Sequence, residues 1–449
     1  MSTVSQRARA HEDLVRKFAA AVRASQLYAA SHPIVTRSVA GLAEALALIH
    51  AAAPSIAIGI VGDSLVVGDL PISRAAENFG ELMRRLQQVG VERVVIDRAV
   101  TNDELVALVQ ALARGDVASV AQIENQPHVR VGRLQVDEQI EGPPADIEAF
   151  KQLYTDATGM AQTLWDSAAV EGKPDADAAR TMVDSLAQAV AENRTALLAL
   201  TALKNYDNYT FTHMVNVSIL TMGQARGLGI EGTLLREFGL AALMHDIGKV
   251  RTPAEILNKP DKLTDGEFTI LKRHTVDGAE ILRNTPEIPA LAPVVAFEHH
   301  LRADATGYPT GVVRPALNLA TTLCGISDVY DAMRSQRVYQ QAYPTDRILA
   351  VLQRNDGQQF DRHLVRRFTQ LMGIYPAGNI VKLNSGELAV VLKTYAPDPY
   401  RPRVRVMVTA DGVRVPMEID VNLWEDERAR VIEAPVDPAT VDFDGLSQL

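Results

Sequence analysis

The stretch Ala241–Val250, AALMHDIGKV, opens as an apolar helix and then sets His245 beside Asp246 before reaching Gly248. Both side chains are costly to bury unpaired. Yet the approach to them is built for burial, because Leu234, Leu235, Phe238, Ala241 and Ala242 recur at helical spacing. A bound metal resolves the conflict if the chain supplies more ligands. Neighbours on a regular helix point about 100° apart. His245 and Asp246 therefore serve one ion only where the helix end is irregular, or else two adjacent ions bridged by the two oxygens of Asp246. The same geometry applies to His299 and His300.

Of the ten histidines, His213, His245, His274, His299 and His300 share one stretch that reads as helical. Each alone reads as a surface or helix-end residue, and Asp328 and Asp331 alone read as helix-surface acids. Taken jointly they form a ligand set presented by several helices, as in metal-binding bundle cores. Thr252, Pro253 and Glu255 look like a cap, a proline at the first helical position and a capping box. Thr264 and Glu267 make another box, opening the helix that carries His274. Imidazole and carboxylate suit iron, manganese or zinc. The single cysteine, Cys324, lies in the apolar TTLCGI and reads as core.

The flanks have other periods. Helical stripes at Leu14–Val22 and Val35–Ile49 precede an alternating hairpin (Ile56, Ile58 and Ile60, then Leu65 and Val67). Next come a helix from Phe79, the strand VERVVI, and a helix boxed by Thr101 and Glu104 and stopped by Gly115. The chain is thus expected to be multidomain. Residues 1–140 form a small α/β regulatory or docking domain, and EGPPADIE (141–148) forms a linker. Residues 148–375 form an all-α domain, 376–435 a small antiparallel β domain, and 436–449 a loose tail.

At 449 residues and 47% apolar composition the chain has material for several cores. A net charge of −10 gives no general attraction for a nucleic-acid polymer or an anionic membrane. No apolar run approaches the ~18 residues of a membrane span, and MSTVSQRARAHEDL lacks a signal peptide's apolar region. Cytoplasmic location without membrane insertion is the expectation.

The run HDIGK, followed by LNKPDKLTDGEFTILKRH, EHH, GYP and SDVYDAMRSQRVY, closely resembles the HD-GYP phosphodiesterases, a branch of the HD metal-dependent phosphohydrolases. The resemblance covers about residues 150–375. It implies a central HD-GYP helical domain in which His213, His245, Asp246, His274, His299, His300 and Asp328 coordinate metal, with Asp246 bridging. Lys249 would contact the scissile phosphate. Gly307, Tyr308 and Pro309 would shape the substrate pocket, and Arg337 would stand near a ligand phosphate. The implied activity is hydrolysis of cyclic di-GMP to pGpG, continuing in some members to GMP, with two divalent ions, iron or manganese. A protein partner at the N-terminal domain and a homodimer are further expectations.

The sequence also departs from the family pattern. Tyr209 stands where some members place a glutamate for a third metal, so two ions are expected. Leu301 replaces a usual glutamate and Thr322 a common arginine, while Gln340 and Gln341 stand where a basic residue often follows. Two alternatives follow from this thinning of charge. One is a catalytically weak module that binds metal and nucleotide and signals by protein interaction. The other is an HD phosphohydrolase for another phosphoester.

Overall fold

The structure is a computed structural model. It describes residues 3–449 apart from 52, 62–63, 69, 73–74, 117–118, 121–122, 124–125, 133–146, 202–208, 303, 305, 313–316, 335–342, 344, 356, 396 and 427. Two compact units are present, Met1–Asp137 with Leu228–Ile230, and Glu138–Gly227 with Glu231–Leu449. Residues 141–146 of the expected linker lie outside the described residues, and Ile147 already begins a helix.

The first unit is a mixed α/β layer pair. Its helices are α1 (Thr3–Leu27), α2 (Pro33–His50), α3 (Ala75–Gln88) and α4 (Asn102–Arg114); its strands are β1 (Ser55–Val61), β2 (Ser64–Val67), β3 (Leu70–Pro71), β4 (Arg93–Asp97) and β5 (Val129–Gly132). The strands form one antiparallel sheet in the order β3-β2-β1-β4-β5, with Ile58 opposite both Val67 and Val94. Alternation turns Ile56, Ile58 and Ile60 into a core shared with Phe18, Leu42, Leu46 and Leu105. The Thr101–Glu104 capping box is present, and Gly115 ends α4 at a left-handed φ of 73°. Strand β5 was not anticipated, being only four residues long.

The second unit begins with helices. They are α5 (Ile147–Glu171), α6 (Ala176–Leu200), α7 (Tyr209–Gly227), α8 (Gly232–Leu243), α9 (Ala254–Leu257), α10 (Asp265–Lys272), α11 (His274–Arg283), α12 (Leu291–Glu298), α13 (Leu319–Arg334), α14 (Thr345–Arg354) and α15 (Arg362–Met372). Residues 212–225 of α7 are buried without a break, which marks a central helix rather than a surface one. Its polar side chains find partners on neighbours. Ser218 Oγ donates to Gly239 O on α8 at 2.8 Å, and Gln224 Nε2 donates to Ser327 Oγ on α13 at 2.8 Å.

Five antiparallel strands follow, β6 (Ile380–Leu383), β7 (Leu388–Lys393), β8 (Arg403–Val408), β9 (Arg414–Asn422) and β10 (Ile432–Pro435), in the order β10-β6-β7-β8-β9. Val381, Leu383, Val391 and Val404 are fully buried in their core. The 436–449 segment corrects the expectation of a loose tail. Phe443 packs with Ile380, Val390 and Met407, and Leu446 is 9% exposed. The polar, proline-containing composition concealed these two apolar anchors.

Candidate metal centre

Helix α8 ends at Leu243, earlier than the sequence suggested, and Met244 leaves helical geometry at φ −99°, ψ 8°. A 3₁₀ turn, Ile247–Arg251, follows at once. His245 and Asp246 therefore occupy the irregular helix end that lets adjacent side chains converge. Gly248 is required there by close packing rather than as a helix breaker, since a Cβ on it would lie 2.0 Å from His274 O and 2.4 Å from Gly278 N. The expected Thr252 cap is also corrected. Pro253 is the N-cap of the single-turn α9, no side chain caps it, and Thr252 instead closes the 3₁₀ turn. Thr264 and Glu267 do form a capping box, but on α10, and His274 starts the next helix after Arg273.

Asp246 is 3% exposed and stands between two groups. Its Oδ2 faces His245 Nε2 at 3.4 Å and His213 Nε2 at 3.8 Å. Its Oδ1 faces His274 Nε2 at 3.4 Å and His299 Nε2 at 3.7 Å. The sets His213–His245–Asp246 and Asp246–His274–His299–His300 each bring their ligand atoms within 4.8 Å of one another and could hold an ion. Asp328, on α13, joins the first set, with Oδ1 3.2 Å from His213 Nε2 and 4.0 Å from His245 Nε2.

The outer ring nitrogens explain the aim of the inner ones. His245 Nδ1 lies 2.7 Å from Ala242 O, His274 Nδ1 2.7 Å from Leu271 O, and His299 Nδ1 3.0 Å from Ala296 O. A carbonyl only accepts, so each Nδ1 carries the proton and each Nε2 presents a lone pair inward. His274 Nε2 and His299 Nε2 then face each other at 3.3 Å, an arrangement of two acceptors that a cation stabilises. His245 Nε2 and Asp246 Oδ1 are buried and make no hydrogen bond. The donor set thus fits divalent metal ions.

Electrostatics agree. Burial lowers His274 to about 3 and His300 to about 4, so both rings are neutral at pH 7. Burial, then the neighbouring His300 and His245, also holds His299 well below the usual histidine range. Burial opposes ionisation of Asp246, but the Lys249 ammonium beside it holds its carboxyl well below the usual range. Lys249 donates to Asp246 from the rim, where its side chain is 24% exposed.

Gly307 and Tyr308 sit beside this centre. Gly307 has φ 94° and forms a bridge with Leu301, and the Tyr308 ring lies 4.5 Å from that of His300. A pocket opens next to His299 and His300, and Leu301 and Thr322 both line it together with Gly307 and Tyr308. Pro309 follows Tyr308 through a cis peptide bond. Arg337, Gln340 and Gln341 lie outside the described residues, as does the side chain of Tyr209.

Sequence reading missed Asp331. It is fully buried rather than a surface acid. Its Oδ2 accepts from His213 Nδ1 at 2.8 Å and its Oδ1 from Asn216 Nδ2 at 2.9 Å, while Tyr154 OH donates to Asn216 Oδ1 at 2.8 Å. This chain of bonds orients His213. The available signal was the i, i+3 spacing of Asp328 and Asp331, which places both on one helix face.

Residues 185–364 match the HD domain family, and residues 380–443 match a KOW domain associated with HD domain. The central segment is an HD domain. A cyclic di-GMP phosphodiesterase of Pseudomonas aeruginosa is 39% identical over 242 residues, 54% of this chain and 58% of that protein. One of Vibrio cholerae is 35% identical over 206 residues, 42% of each chain. A 3'3'-cGAMP-specific phosphodiesterase of Vibrio cholerae is 32% identical over 175 residues, 37% of this chain and 40% of the other. The chain spans about half the length of the curated relatives it matches.

Proposed function

We propose that the chain is a phosphodiesterase that uses two divalent ions, iron or manganese, to hydrolyse cyclic di-GMP to pGpG or GMP. One observation carries this reading: inward-facing imidazole nitrogens are divided between the two oxygens of a single carboxylate, Asp246. His213, His245 and Asp328 would hold one ion with Asp246 Oδ2, and His274, His299 and His300 the other with Oδ1. Two ions bound there would supply Lewis acidity and a water activated near neutral pH.

The chain's own groups do the rest. Asp246 fixes the spacing of the two positions, and Asp331 keeps the His213 ring aimed inward. Lys249 places an ammonium at the rim, where it can donate to a non-bridging phosphoryl oxygen as negative charge builds. Tyr308 walls the pocket beside His300, and Arg337 adds a cation for substrate. In the net reaction the water oxygen bonds to phosphorus, the P–O3′ bond breaks, and O3′ leaves with a proton, giving the linear dinucleotide.

The test is hydrolysis of cyclic di-GMP by protein loaded anaerobically with iron or manganese, beside the His245→Ala/Asp246→Ala variant. Formation of pGpG or GMP by the unmutated protein alone supports the reading, and no product despite bound metal sinks it. The uncharged Leu301 and Thr322 on the pocket wall favour one second reading, a different phosphoester as substrate. A panel that includes 3'3'-cGAMP separates the two by relative kcat/KM.

A further inference from the structure

Lys272 ends α10 with its ammonium 4.4 Å from the Phe268 ring centroid and 5.7 Å from that of Tyr308. The side chain is partly buried, and ring faces attract a cation without neutralising it. Nearby acids are engaged elsewhere. Glu267 pairs with Lys259 at 2.7 Å, and Asp277 faces Arg251 and Arg273 at 3.7 Å each. Among the described residues no carboxylate pairs with Lys272.

The position of this charge matters. The Tyr308 ring neighbours both this charge and the metal centre, lying 4.5 Å from the His300 ring and 6.1 Å from that of His274. Phe268 meets Tyr308 edge-on at 6.2 Å and stays 40% exposed. Two lysines therefore stand near one centre by different contacts, Lys249 on Asp246 and Lys272 on the ring of Tyr308, which lines the pocket. Lys249 is tied to Asp246 within the centre, while Lys272 lies against Phe268 and Tyr308. A substrate with a single phosphodiester needs only the cation beside Asp246, Lys249. A cyclic dinucleotide carries two phosphodiesters on opposite sides of one macrocycle. We propose that Lys272 binds the phosphodiester that is not cleaved, so that α10 selects substrates with two phosphates. This rests on the proposed function and adds to it a residue that discriminates between substrates.

The test compares Lys272→Met, which keeps the apolar stem, and Lys272→Arg with the unmutated metal-loaded protein. KM for cyclic di-GMP should rise about tenfold in Lys272→Met, the scale of one charge-assisted hydrogen bond, with Lys272→Arg recovering most of the loss. The loss in kcat/KM on bis(p-nitrophenyl) phosphate, which has one phosphate, should be much smaller. An unchanged KM, or equal losses on both substrates, overturns the proposal. Calorimetric titration with a phosphorothioate analogue of cyclic di-GMP reads the same residue without turnover. If the unmutated protein binds the analogue but cleaves nothing, the enzymatic reading fails alone, and Lys272→Met must still weaken binding about tenfold. If it neither binds nor cleaves, both fail.

Discussion

Glu104 and Asp246 are both nearly buried carboxylates, 8% and 3% exposed, in opposite surroundings. Glu104 accepts from Thr101 N at 2.8 Å, Thr101 Oγ1 at 2.9 Å and His128 N at 3.1 Å, so its needs are met within its own unit. His50 is similar, its Nε2 bonding Ile96 O at 3.1 Å. Asp246 instead faces imidazole lone pairs on both sides, and its Oδ1 makes no hydrogen bond. A buried polar group with complete protein partners serves the fold. One whose neighbours aim acceptors at one another waits for a cation.

Substitutions can break or sharpen that contrast. Asp246→Asn should have the largest effect, since it touches both ion positions, and hydrolysis should fall below detection while circular dichroism stays native. Asp331→Ala touches neither position but removes the acceptor of His213 Nδ1. Metal affinity, followed by chelator competition, should drop about 10- to 100-fold. Leu301→Glu and Thr322→Arg each place a charge on the same pocket wall. Each alone should lower stability by about 1–3 kcal/mol, and the double variant should recover part of it, as read from denaturant midpoints. Glu104→Ala should act on folding alone, costing about 1–2 kcal/mol and leaving metal content unchanged.

Much of this was legible because burial imposes period. The alternating isoleucines of β1 and the stripes of α1 and α2 are each fixed by one apolar face, and Val381 and Leu383 of β6 and Val404 and Val406 of β8 follow the same rule, whereas β9 is largely exposed. Short elements were not legible, since four residues such as Val129–Gly132 carry too little alternation. The ligand histidines could be named from motif order, but their convergence depends on the early end of α8 and on Gly248 packing against α11, which are tertiary facts. Thr252 carried a cap signature, yet the chain there turns as a 3₁₀ segment. Asp331 looked like any helix acid until α7 was placed beside α13.

The most direct measurement of the central claim is metal stoichiometry in anaerobically prepared protein, for the unmutated chain and Asp246→Asn. Two ions per chain, falling to fewer than one in the variant, is the result expected of a centre built on both oxygens of one carboxylate. A single ion in the unmutated chain, or equal content in both proteins, would contradict it.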